Sequence, residues 1–231
     1  MTPLELSKSS RRAFDHLAAD LTRIFGPRLV ALVAFGPSAS VAFASTLTAD
    51  DLDACAALVE SWHRERLAPP LVMTPDEFRR SLDTFPLEYA AILESHVVVA
   101  GRDPFAGATV ERDDIRRACE VQARGLLIHL RQGWLEAAGH ANHQAELVQH
   151  AAAPLRRLLA HVAGLEGAQA HTAADVTTFG VERLGLPGDL LKAVLALETA
   201  PESAHAVVKR LPELLATAER LWQFVDAWRA R

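Results

Sequence analysis

A chain of 231 residues has room for one large domain or two small ones, each with its own core. Half of its residues are hydrophobic, 23% are charged and the net charge is −5, an ordinary soluble composition; without a run of Lys or Arg, it argues against a dedicated nucleic-acid binder. Two cysteines, Cys55 and Cys119, read as reduced thiols beside apolar neighbours, and no stretch reaches the ~18–20 apolar residues of a membrane helix.

The first residues, MTPLELSKSSRRAF, carry charges where a secretion signal needs an apolar core, so a cytoplasmic protein is expected. Leu4–Phe25 predicts an amphipathic helix, with Phe14, Leu17, Leu21 and Ile24 at three- and four-residue steps. Leu29–Phe35 is a near-continuous apolar run that suits a strand buried on both faces, and Ser40–Ser45 predicts a second, short strand. Between them lies a turn with Gly36, Pro37 and Ser38.

Thr48 then predicts a helix N-cap, with Asp50 and Asp51 in the first turn where carboxylates suit the helix dipole. Leu52, Cys55, Ala56, Val59 and Trp62 form one apolar face of a helix running through that region. APPLVM predicts a short strand, and TPDEFRRSL a helix capped by Thr74 with Pro75 at its first position. His96–Gly101 predicts a last strand.

Beyond Val110 no strand is expected. Helices are predicted over Glu111–Ala138, Ala141–Leu165 (kinked or split by Pro154), His171–Leu184, Gly188–Leu197 and Pro201–Arg229. The expected fold class is α+β: a small mixed sheet with helices over residues 1–108, followed by an all-α helical bundle over 109–231. In the last helix Phe224 and Trp228, four apart, form an apolar strip beside the core row of Trp222 and Val225, which is expected either to be covered by the N-terminal domain or to be shared with another subunit in a homodimer.

A helix, a buried strand, a glycine turn and a second strand, carried by LVALVAFGPSAS, LAPPLVMTPDEFRRSLDTFPLEY and HVVVAGRDPF, resemble the nucleotidyltransferase fold. The likeness is to kanamycin-nucleotidyltransferase-like and DNA polymerase beta-like proteins and covers roughly the first 110 residues. The resemblance implies a Gly-Ser turn against the phosphates of ATP or GTP, with carboxylates spaced Asp-x-Asp on the second strand and a third nearby, all converging on Mg²⁺. Here Gly36 is kept, Pro37 replaces the serine and removes a backbone N–H, and Ser38 offers a hydroxyl one residue late. The second strand has no carboxylate.

Asp51 and Asp53 have the Asp-x-Asp spacing, and Glu88 is the nearby third carboxylate, so these three are the candidate catalytic residues and Gly36 and Ser38 the candidate nucleotide-binding ones. On a strand Asp51 and Asp53 would share a face; on a helix they point about 200° apart, and the cap and spacing signals favour the helix. The expectation is therefore a transferase-like protein that has lost its catalysis and keeps a binding or interaction role, with a nucleotide or small molecule as ligand. The alternative is an active, metal-dependent enzyme. Two further patterns are recorded: His143, Glu146 and His150 at helical spacing, read mainly as a solvated face, and the pairs Arg124/His129 and Arg156/His161, which match an Arg-x4-His ribonuclease pattern by chance frequency.

Overall fold

The structure, a computed structural model, describes residues 4–229. The chain is α+β and divides into two units, Met1–Val110 and Glu111–Arg231. In the first unit, α1 (Lys8–Phe25) leads through a short 3₁₀ turn to β1 (Leu29–Ala34), which pairs antiparallel with β2 (Ser40–Ala44). Helices α2 (Ala49–Ala56) and α3 (Val59–Arg64) carry the chain to β3 (Leu71–Met73), parallel to β2. Then α4 (Pro75–Arg80) and α5 (Pro86–Glu94) precede β4 (Val97–Gly101), antiparallel to β1. The sheet order is β3-β2-β1-β4, so the two most apolar strands lie in the middle.

Alternation along β1 and β2 sends side chains to two cores. Leu32, Ala34, Ala42 and Ala44 face α1 together with Cys55, Trp62 and Leu67. Ala31, Val33, Val41 and Phe43 face Phe78 of α4, Tyr89 and Ile92 of α5, and Phe105. A sheet covered on both faces explains why β1 reads as a continuous apolar run rather than an alternating one. Gly101, at φ +80°, ends β4 where an added Cβ would collide with the Val30 carbonyl, so only glycine lets that edge strand close on β1.

Two expected elements of this unit differ in detail. The first helix starts at Lys8, because Ser7 accepts a hydrogen bond from the Ser10 N–H at 3.1 Å and caps it there. The helix after Thr48 is two helices, and Leu52 is 52% exposed rather than part of the core face. Asp51, not Leu52, points inward, so the buried row runs Asp51, Cys55, Trp62.

In the second unit, α6 (Arg112–Ala137) packs against α7 (Ala141–Leu165) and α11 (Leu211–Ala227), while α8 (Ala173–Leu184), α9 (Gly188–Leu195) and α10 (Ala204–Val207) surround α7. No strand occurs after Gly101 among the described residues. Pro154 does not split α7: buried Ala151, Ala152, Leu155, Leu158 and Leu159 hold the turns on both sides of it. The expected final helix is broken at Val208–Arg210, because Pro212 is tolerated only in the first turn of α11.

Helix α11 also ends at Ala227, so Phe224 and Trp228 do not form a strip on one helix. Trp228 is buried within its own unit; its Nε1–H donates to Glu166 at 2.6 Å and Arg112 stacks on its ring at 5.5 Å. Of the two residues expected to form an apolar strip, Trp228 is therefore covered by residues of its own unit and Phe224 is half-buried. No helix among the described residues is long and apolar enough to cross a membrane.

Candidate functional site

The glycine turn sits between the antiparallel strands β1 and β2. The Phe35 N–H donates to the Ala39 carbonyl at 3.1 Å and closes the hairpin, and the Ser38 carbonyl accepts from the Ala68 N–H at 2.9 Å, which pins the turn to the segment before β3. A Cβ on Gly36 would meet only Ala39 Cβ at 3.8 Å, so neither packing nor backbone conformation demands glycine here; its effect is to leave backbone open to approach. Pro37 is exposed and Ser38 half-buried.

Asp51 is the third residue of α2 and is consumed locally. Its Oδ2 accepts from the Thr48 N–H at 3.0 Å and the Thr48 hydroxyl at 2.8 Å, while the Thr48 Oγ1 accepts from the Asp51 N–H, a reciprocal capping box. Arg28 then grips both oxygens, Nη1 to Oδ2 and Nη2 to Oδ1, each at 2.7 Å. These hydrogen bonds, Arg28 first, hold the carboxyl well below its ordinary range against the opposing effect of burial. Arg28 precedes β1 and Gly36 follows it, so the length of that strand, roughly 17 Å at 3.3–3.4 Å per residue, separates Asp51 from the turn.

Asp53 is exposed, about 200° around α2 from Asp51. Glu88 is exposed in the first turn of α5, on a helix packed against the opposite face of the sheet from α2. The three candidate carboxylates are not brought together, and no group of three His, Cys, Asp or Glu suited to a metal occurs among the described residues. This donor set does not fit a pair of divalent metals, which need carboxylates converging on one point.

One residue of the turn region carried no sequence signal. Ser40, paired with Ala34 across the hairpin, is 2% exposed and its hydroxyl has no hydrogen-bond partner among the described residues. An unsatisfied buried hydroxyl costs stability, so Ser40→Ala is expected to leave the urea midpoint unchanged or raise stability by up to about 1 kcal/mol. A clear loss would mean that the hydroxyl is bonded.

In the second unit, His143, Glu146 and His150 are exposed on α7 and do not converge with a further ligand among the described residues. Arg124 stacks on Trp222 at 4.8 Å and lies 3.7 Å from Glu120, and a five-residue step turns His129 about 140° away from it. Arg156 pairs with Glu198 at 2.7 Å, whereas His161 bonds Gln122 at 3.1 Å, so neither Arg-x4-His pair acts as a unit. Both cysteines are free and buried; desolvation raises the Cys55 thiol and pushes Cys119 up to about 12, which leaves neither a ready nucleophile. Between α6 and α7 lies a groove of about 440 Å³ lined by residues of both helices, among them Gly125, His129, His150 and Pro154. The chain matches no family model, and no curated protein or solved structure aligns significantly with it.

Proposed function

We propose that this chain is a nucleotidyltransferase-like protein without transferase activity, serving as a binding or interaction module. The observation that carries the reading is the combination of an open glycine turn with dispersed carboxylates. The order helix, buried strand, glycine turn, antiparallel strand is what the resemblance calls for, yet Asp51 is spent on Arg28 and Thr48 at the far end of β1. Phosphoryl chemistry on two metals needs acidic ligands at the phosphates, and β2 supplies none. What remains at the turn is accessible backbone beside Gly36 and the Ser38 hydroxyl, groups that suit contact with an anionic ligand without activating it.

The test is consumption of ATP and GTP, with Mg²⁺ or Mn²⁺, over a panel of aminoglycosides and proteins. Wild type is expected to show no turnover above the protein-free background. Turnover that disappears in Asp53→Ala would overturn the reading and restore the active alternative built on Asp51, Asp53, Glu88 and Ser38. Asp53 is the residue of choice because its exposed side chain makes no hydrogen bond or ion pair among the described residues, whereas Asp51→Ala would also remove a helix cap.

A further inference from the structure

We infer that the groove between α6 and α7 is a binding site for a small amphipathic organic anion, an apolar body with one anionic head. This inference does not rest on the nucleotidyltransferase-like reading, since every residue it uses belongs to the second unit.

Two contacts between α6 and α7 flank the groove. At one end Gly133 lets the helices touch: an added Cβ there would collide with Leu147. At the other end the Gln122 side chain bonds His161 of α7 at 3.1 Å. Between these two cross-links stands Gly125, two helical turns before Gly133, and a Cβ added to it meets nothing within 4 Å. The same residue type thus serves opposite ends: Gly133 permits contact, while Gly125 faces empty space that any larger side chain would occupy.

Pro154 of α7 lines the same groove. It has no N–H to give to the His150 carbonyl one turn back, so that acceptor is left without its usual intrahelical donor. Glycine and proline are the two residues least suited to a helix interior, and here one from each helix borders one groove. Neither is explained by packing against a neighbour: Gly125 faces open space and Pro154 is exposed. A retained opening accounts for Gly125, since any side chain there would fill it.

The lining selects the ligand class. Leu126, Leu130, Leu147 and Ala151 supply apolar surface, and the volume of about 440 Å³ falls within the ordinary range for small-molecule sites. His129, His150 and Arg157 supply every ionisable group in the lining, which contains no carboxylate. The adjacent Arg156 is paired with Glu198 at 2.7 Å, but no carboxylate among the described residues lies within ion-pair distance of Arg157. A permanent guanidinium and two imidazoles in an otherwise largely apolar lining without a carboxylate match an anionic head on a hydrophobic body.

The experiment uses the full chain and 8-anilinonaphthalene-1-sulfonate as fluorescent probe, with decanoate and its neutral counterpart decan-1-ol as competitors. Wild type is expected to bind the probe saturably at one site, and decanoate to displace it at a concentration about tenfold lower than decan-1-ol. Gly125→Leu is expected to abolish binding while the circular dichroism and thermal midpoint are kept or raised, because leucine is the better helix former. Arg157→Gln, an exposed position where folding is not at stake, is expected to weaken the probe and decanoate about tenfold and leave decan-1-ol unchanged. The inference is overturned if wild type shows no saturable signal, if decan-1-ol competes as well as decanoate, or if the two variants bind like wild type.

Discussion

Replacing Phe78 with alanine is expected to destabilise the N-terminal unit by about 3–5 kcal/mol, the usual cost of emptying a fully buried aromatic site. Phe78 is 1% exposed and stands at the centre of one face of the sheet. Its ring meets Phe43 of β2 edge-on at 5.7 Å, Tyr89 of α5 at 4.6 Å and Phe105 at 5.0 Å. One side chain on a six-residue helix therefore joins the sheet, α5 and the segment after β4. Such a short helix has little stability of its own, so its place depends on this contact. Amide hydrogen exchange over β1 and β2 measures the effect within the unit concerned. The expected loss of protection is roughly a hundredfold or more, and Phe78→Leu, which keeps much of the apolar volume, should lose far less. Unchanged protection in the alanine variant would show that this cluster does not hold the face.

The second large effect concerns acid. Asp51 is nearly buried and its carboxyl is held below its ordinary value of 3.8, first by Arg28 and then by Thr48. The unfolded chain therefore takes up this proton before the folded one does. Stability from the pair is complete above about pH 5 and drains away as the pH falls through 4 toward the folded-state value. Arg28→Met is expected to lower the urea midpoint at pH 7, because it leaves a carboxylate buried without its cation. Below pH 5 the same variant should lose less additional stability than wild type, so the two curves converge. The double variant Arg28→Met/Asp51→Asn should be more stable at pH 7 than Arg28→Met alone, since no unpaired charge remains. Parallel curves for wild type and Arg28→Met between pH 5 and pH 2 would refute this account of the pair.

Local chemistry was legible from the residues themselves. The caps at Thr48 and Thr74, the buried character of Leu29–Ala34 and the short strand at Leu71–Met73 depend on neighbours within a few positions, and each lies where its local signals put it. The helical setting of Asp51 and Asp53 belongs to the same class, since a capping box is complete within four residues. Contacts between distant residues were not legible. Arg28 draws Asp51 inward across 23 positions, and that ion pair, not hydrophobic spacing, decided that Leu52 faces solvent. Helix α5 carries no clear apolar period and was not expected from the sequence, and only the sheet's two-faced packing puts Glu88 on the opposite layer from Asp51. Gly125 and Pro154 are visible in the sequence as poor helix residues; it took the antiparallel packing of α6 on α7 to set them around one opening. The division follows from range: propensity and capping act over one turn of chain, whereas a site is made of groups whose separation along the chain is unrelated to their separation in space.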